Sequence, residues 1–597
     1  MTINLILNSA VSGLAANQAA VVVTSQNIAN ANTEGYSRQS VQFQQRVTGS
    51  TPNGVEIADV DRFVNVFLTR ELRAATGDGG SVAARNEIFE QVTALFGAPG
   101  GDAALSNDLT RFAAALDRLS VSPEDAALRF DVVATGETLA RNTRQVAVDI
   151  QALRTEVDRQ IAAAVDAINL KLVAVFDLNR RIAQAKSSGQ TAPDLEDQRD
   201  LAVLAIAERI GISTFVRDNG EITIFTDGGH ALVDVQLGQI TYDASSVVGA
   251  ATTFGEMRAV PVDSRTLAPL GDGEVLVSSG QSATITSDIG SGRIHGLLAM
   301  RDTELRNLAD QIEVFAANLS DTVNAVHNDG TAFPAVNALA GTAAVAAGDA
   351  FAATGTVRIA VLDGSGAVVG TPLDLDLTAL GATTVNGVAL AISAALGANG
   401  SASVVAGRLV IQAANAAHGI AINEGDSLVA ASGRGFSHHF GLNDFFVGSS
   451  ADAIAVRAEI IANPGRVATA DLDTTATTGE VAATVGDNRV IIRLAEVFES
   501  AVALGAVGGL PAAHVTLGTF ASTVVGLAAT RAAAAGDGVD QQAVLVDNLR
   551  FRLGAETGVN VDEELSNLIL FQNAYQASAR VMTTAQEMFD TLIDMVR

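Results

Sequence analysis

Catalysis needs side chains that can move a proton, attack a substrate or hold a metal, so the histidines and paired acids are weighed first. His438 and His439 are the best metal candidates among the seven histidines. Adjacent residues of a strand, however, point to opposite faces, which argues against a shared ligand role. Asp374 and Asp376 would share one strand face and could hold a cation or form a solvated acidic edge. Asp562, Glu563 and Glu564 have a local explanation, because carboxylates in the first turn of a helix complement the positive end of its dipole. A second reading gives this run a part in docking. No His-Glu-x-x-His, nucleotide-binding P-loop, glycine-rich dinucleotide fingerprint or Gly-x-Ser-x-Gly elbow occurs. Without cysteine there is no disulfide, thiolate metal site or thiol nucleophile. No catalytic residue, cofactor or metal is expected, and the chemistry left to the chain is that of packing surfaces.

Those surfaces lie on two helices at opposite ends of the sequence. Leu7, Val11, Leu14, Gln18, Val21, Ser25 and Ile28 step by four and three along one seam. Leu568, Phe571, Tyr575, Ser578, Met582, Ala585, Phe589, Leu592 and Val596 do the same, with Gln572 beside them. At 1.5 Å per residue the two rods would be roughly 40 and 50 Å long, able to lie side by side. Each seam has few large side chains for the entropy of ordering a whole helix. Both ends are therefore expected to be mobile in the free chain and to order when subunits pack. After the first seam, Asn30 and Asn32 suit turn and cap positions, and Gly35 can take a positive φ that Glu34 or Tyr36 would resist.

Ser12-Gly13-Leu14 with Ala16 and Gln18, then Asn27-Ile28-Ala29-Asn30 through Gly35-Tyr36, resembles the N-terminal signature of the rod, hook and hook-associated proteins of the bacterial flagellum. Ser37-Arg38-Gln39, joined with Gly558 through Glu564, Asn567-Leu568, Gln572, Ala574-Tyr575, Ala577 and Ala579-Arg580-Val581, narrows the likeness to the hook-associated family. Interior stretches match in the same order: Ser122-Pro123-Glu124-Asp125 with Arg129, Asp194 to Asp200, Arg301-Asp302, Val323-Asn324 with His327 and Gly330, and Gly441 to Phe446. The resemblance implies a structural subunit joining hook to filament. It also implies delivery outside the cell by the flagellar type III apparatus without a cleaved signal. Its partners would be copies of itself, hook protein, a second junction protein next to the filament, and an export chaperone at the C-terminal helix. The assembly interface would comprise Leu7, Val11, Leu14, Val21, Ile28, Asn30, Asn32, Gly35, Tyr36, Leu568, Phe571, Gln572, Tyr575, Met582, Phe589 and Leu592. Alternatives are a hook or distal-rod subunit, or a flagellar surface adhesin that uses an outer domain.

Net charge of −29 makes a phosphate backbone a poor partner, since affinity there comes from Lys and Arg, so nucleic-acid binding is not expected. Lys171 and Lys186 are the only lysines, and no Lys or Arg precedes Arg38, so the start lacks the basic region of a secretory signal. The uncharged run from Ser500 to Thr530 is long enough to raise a membrane question. Pro511, His514 and repeated Gly break it, and it reads as a helix end, a loop and a new helix. No membrane partner is expected.

At 597 residues the chain exceeds one core. Helical patterns cover Phe63 to about Phe96 and Pro123 to about Ala185, the latter with Ser122 as cap and Pro123 at the first position. Ile150, Leu153, Val157, Ile161, Ala164, Ile168, Leu172, Val175, Leu178 and Ile182 keep a step near 3.6, which predicts a long rod. A C-terminal stretch from about Val515 to Arg552 would close the helical bundle. Short alternating runs such as Glu221 to Phe225 predict strands between Gly211 and Gly290, and residues 336–435 read as strand, strand, helix, strand, strand. The expectation is a multidomain α+β chain. Its parts are a terminal, coiled-coil-like helical domain (1–45 with 556–597), a long-helix rod domain (46–205, 290–335 and 440–555), a β-rich domain (206–289) and an outer α/β insertion (336–439).

Overall fold

The computed structural model describes residues 3–48, 51–97, 105–279, 285–381 and 383–596. In chain order the elements are α1 (Ile3–Ala29), the hairpin β1 (Gln39–Thr48) and β2 (Thr51–Arg62), α2 (Val66–Phe96), α3 (Leu105–Val121), α4 (Ala126–Ser187) and α5 (Pro193–Ala207). Seven strands follow: β3 (Ile212–Val216), β4 (Ile222–Thr226), β5 (Ala231–Val233), β6 (Leu237–Thr241), β7 (Met257–Val262), β8 (Glu274–Ser279) and β9 (Ile285–Ser287). Then come α6 (Gly292–Ala299), a π-helical turn (Met300–Glu304) and α7 (Leu305–Asn328). The chain closes with helices Leu517–Thr557 and Val561–Val596, the latter called here the C-terminal helix. Two compact units result, Met1–Ile88 with Arg154–Asp302 and Ala533–Arg597, and Phe89–Leu153 with Thr303–Ala532.

In the first unit β3 to β9 form an antiparallel meander in sequence order. All ten apolar positions read as one stripe of α4 are buried. Two asparagines on α4 fasten the sheet by its backbone. Asn169 Nδ2 donates to the Ile240 carbonyl at 2.8 Å and its Oδ1 accepts the Ile240 N–H at 2.8 Å, and Asn179 does the same for Ile222 at 2.8 and 3.0 Å. Arg301 is 1% exposed and is neutralised by Asp158 at 2.6 Å and Asp302 at 2.7 Å, with Phe254 stacked 3.8 Å from its guanidinium carbon. A buried charge persists only when paired in this way.

The second unit carries two three-stranded sheets. One is ordered Ala338–Ala340, Arg408–Ala413, Gly400–Val405, the other Leu373–Asp376, Thr356–Leu362, Gly419–Asn423, and helix Val385–Leu396 belongs to their common core. Two interior stretches far apart in sequence form one node there. Asn324 Oδ1 accepts the N–H groups of Phe445 and Phe446, both at 2.9 Å, and Asn328 Oδ1 accepts that of Asn443 at 2.8 Å.

Three local readings are corrected and one is narrowed. Helix α4 starts at Ala126, not Pro123, because Asp125 Oδ1 takes the N–H groups of Ala127 and Leu128, at 2.7 and 3.3 Å, and so caps it in place of Ser122. His438 and His439 sit in a short helix, Phe436–Phe440, rather than a strand. Of the two readings of Asp374 and Asp376 the solvated acidic edge fits, since both are exposed, Asp374 beside Arg358 at 3.0 Å and Asp376 capping the helical turn Leu377–Leu380. Between Ser500 and Thr530 a hairpin, Val502–Leu504 with Ala513–Val515, replaces the plain loop.

Candidate functional site

The chain ends meet inside the first unit. Helix α1 is rich in Ala, Val and Leu, lacks proline, and stops where Asn30 Nδ2 turns back to the Gln26 carbonyl at 3.0 Å. Thr33 Oγ1 donates to Asn30 Oδ1 at 3.2 Å, and Asn32 is exposed. Gly35 has φ +76°, and a Cβ there would lie 2.6 Å from the Leu201 side chain, so both its handedness and its lack of a side chain are used. The C-terminal helix starts at Val561, where Asn560 Oδ1 accepts the Asp562 N–H at 3.1 Å.

Two contacts define how the helices lie. Asn27 Nδ2 reaches Glu564 Oε2 at 3.0 Å, and a Cβ on Gly13 would come 3.3 Å from Ser578 Oγ. The contacts are separated by the same stretch of helix on both partners, in opposite directions, so the pair is antiparallel and in register. Carried to its described start, Ile3 falls opposite Met588, and from Phe589 onward the helix runs past the described residues of α1.

The interface residues expected from sequence divide accordingly. On the C-terminal helix, Leu568, Phe571 and Met582 are half-buried, with Ser578 half-buried and Ala585 buried between them. Gln572 and Tyr575 are exposed, as are Phe589 and Leu592 farther along, while the Val596 side chain lies outside the described residues. On α1 the buried residues are Ala10, Ala16, Ala20, Val23, Thr24 and Asn27. At 100° per residue the centre of this face lies about 120° around the helix from that of Leu7, Val11, Leu14, Val21 and Ile28, with Ala10 and Ile28 on the shared edge. Within one chain, then, α1 meets its surroundings through small residues. Val11 stays exposed, with Leu7, Leu14, Val21 and Ile28 half-buried. By length and composition alone α1 is also apolar enough to cross a membrane.

At the turn end a polar node joins the two helices, the hairpin and α5. The buried Asn27 amide donates to the Gln39 carbonyl at 2.8 Å, and its Oδ1 accepts the Gln39 N–H at 3.0 Å and the Tyr36 hydroxyl at 2.8 Å. Arg38 Nε donates to Glu564 Oε1 at 2.7 Å, and its second arm to Glu563 at 2.9 Å. Its backbone N–H meets the Thr557 carbonyl at 2.9 Å. Ser37 donates through both N–H and hydroxyl to Asp197, Gln39 donates to Asp194, and Arg62 at the end of β2 reaches Glu196, Asp197 and Asp200. Burial, with Asp194, Asp197 and Glu564 nearby, pushes the Tyr36 hydroxyl up to about 12, so it stays a neutral donor. Burial also raises Asp197 against the opposing pull of Ser37 and Arg62. Beside the node lies a largely apolar cavity of about 300 Å³ lined by Gly35, Tyr36, Phe63, Leu72, Leu201 and Leu553 among others.

The arrangement binds and positions; among the described residues no group of three or more His, Cys, Asp or Glu is placed to hold a metal. Asn27 and Arg62 carry no expected site role in the sequence, whereas Glu564 belongs to the acidic run whose second reading is docking. The signal lay in the stretches Asn27–Gln39, Asp194–Asp200 and Gly558–Glu564, which the fold brings to one place.

Comparison with known proteins points the same way. Residues 89–341 match the family model described as flagellar hook-associated protein FlgK helical domain, residues 555–595 that of the flagellar basal body rod FlgEFG protein C-terminal, and residues 7–36 that of flagella basal body rod protein. The chain is 25% identical to flagellar hook-associated protein 1 of Escherichia coli and 26% to that of Salmonella typhimurium, each alignment covering 99% of both chains. It is 24% identical to the Bacillus subtilis protein of the same name over 38% of this chain and 47% of that one. The flagellar hook junction protein FlgK from Burkholderia pseudomallei shares the fold, with a TM-score of 0.51 at 15% identity over 81% of this chain and 99% of that one. Three family models in chain order, full-length relatives and the shared fold agree: the chain is similar along its whole length to the flagellar hook-associated proteins.

Proposed function

We propose that this chain is the structural subunit that joins the flagellar hook to the filament. One observation carries the reading: α1 buries a face of mainly small residues in the single chain, and the two terminal helices leave large apolar residues exposed, among them Val11, Ile569, Leu570, Phe589 and Leu592. An isolated globular protein has little use for two such rails, whereas a polymer subunit buries them against neighbours. The neighbours would be copies of itself, hook protein on one side and a second junction protein on the other. The full-length likeness to hook-associated relatives supports this choice over a hook or rod subunit. Delivery outside the cell by the flagellar export apparatus, with a chaperone at the C-terminal helix, belongs to the same reading, as does a role without catalysis. The four-part division into terminal, rod, β-rich and outer parts remains part of the proposal. Deleting the gene tests it: hooks should remain bare, with filament protein lost to the medium. Filaments on such hooks, or cells without hooks, would refute it.

A further inference from the structure

We infer that Asn27, Arg38 and Glu564 are positioning residues that set the register of the two terminal helices, so that the N-terminal rail is seated only when the last part of the chain has arrived. The inference rests on the reading of these helices as the assembly surface, and it concerns what fixes their relative height.

The apolar contact between the helices cannot fix it. The face that α1 buries carries Ala10, Ala16 and Ala20, and Gly13 abuts Ser578. The facing seam of the C-terminal helix repeats every seven residues, with Ser578 and Ala585 one repeat apart. Because the seam is periodic, with Phe571 one repeat before Ser578, a slip of one heptad still sets apolar residues against α1, and registry in such pairs is set by a polar residue placed where only one alignment satisfies it. The Glu564 carboxylate is that residue here. It is 2% exposed, and its two oxygens take Asn27 Nδ2 at 3.0 Å and Arg38 Nε at 2.7 Å. Asn27 in turn is 1% exposed and holds the Gln39 peptide from both sides. A slip of one heptad moves Glu564 about 10 Å along the axis. That strands a buried carboxylate, a buried amide and a guanidinium together, the costliest kind of mismatch. The partners stand 537 and 526 residues apart in sequence, so the clasp closes last in any process that delivers the chain from its N-terminus.

The test uses the full chain, whose lack of cysteine makes introduced thiols unambiguous. Gly13→Cys is combined with Ser578→Cys to report the native register, and with Phe571→Cys or Ala585→Cys to report slips of one heptad. Disulfide yield is measured for the parent, Arg38→Glu, Glu564→Arg and the double swap, with amide exchange of β3 to β9 as the control for folding. The expected result is a yield at the native pair at least about fivefold lower in each single swap, a rise at a slipped pair, and recovery in the double swap. Unchanged native yield in the single swaps, or no recovery in the double, overturns the inference. Should a single swap unfold the sheet, Glu564→Gln decides. The uncharged isostere should still lower the native yield while the sheet stays protected, and no change in yield would overturn the proposal. Failure here leaves the bare-hook experiment unaffected, so the two readings fall separately.

Discussion

His327 and Glu424 are both buried in the second unit and pull its acid stability in opposite directions. The His327 ring donates from Nδ1 to the Asn443 carbonyl and accepts the Ala468 N–H at Nε2, 3.0 Å away, so it is held neutral. Burial, aided by Arg457, depresses it to about 4. Below pH 6.5 the unfolded chain takes up a proton that the folded one refuses, so stability falls as pH drops from 6.5 to 4. Glu424 accepts the N–H groups of His438 and Ser437 and the Ser427 hydroxyl, yet burial, with Asp329 close by, pushes it up to about 7. Here the folded state binds the proton more tightly, and stability falls as pH rises from 4.5 to 7. Each shift corresponds to about 3 kcal/mol, so between pH 4.5 and 6.5 they nearly cancel. Glu424→Gln should uncover the histidine slope: exchange protection of α7, nearly level in the parent across this range, should drop by about 3 kcal/mol between pH 6.5 and 4. His327→Gln should show the reverse slope, and parallel curves for parent and variants would refute the assignment.

Helix α1 shows two faces with different work, and substitutions should tell them apart. Ala20 is 1% exposed on the inner face, so Ala20→Leu has no room and should cost about 1 to 3 kcal/mol by forcing the pair apart. Val11→Leu on the outer face should leave the single chain within about 0.5 kcal/mol of the parent. Thermal unfolding of the two purified proteins checks both values. The contrast also explains what the sequence could convey. The α4 stripe and most of the C-terminal seam were readable because large apolar residues recur at helical spacing. The inner face of α1 was not, since apart from Val23 it is built of Ala, Thr and Asn, which a scan for bulky side chains passes over. Hairpin β1–β2 was missed for a related reason. Val41 and Phe43 alternate with glutamines on β1, but an extra residue on β2, Ala58, opposite the Gln42–Phe43 step breaks the period there. The polar node was visible as three separate stretches, yet the role of each depends on partners 155 to 537 residues away, and spacing along the chain carries no record of such pairings.

At the level of the whole molecule, the outward apolar residues should matter for assembly and little for the folding of the middle of the chain. Phe589 is the sharpest probe because it lies past the described residues of α1 and is 48% exposed. Phe589→Asp should leave the melting of the purified protein unchanged while abolishing filament attachment, scored by electron microscopy and swimming. Leu14→Asp, Ile28→Asp and Tyr575→Asp should likewise leave the middle domains folded and the cells without filaments, and normal motility in all four would count against the polymer reading. The antiparallel pairing of the chain ends has one more consequence. A dye on Ile3 and another on Met588 would stand roughly 10 Å apart, whereas moving the first to Ala29 would separate them by roughly 40 Å. A fluorophore pair placed this way is a ruler running along the rails, and its efficiency would report, in a single molecule and in real time, whether a newly delivered subunit has drawn its two extremities together.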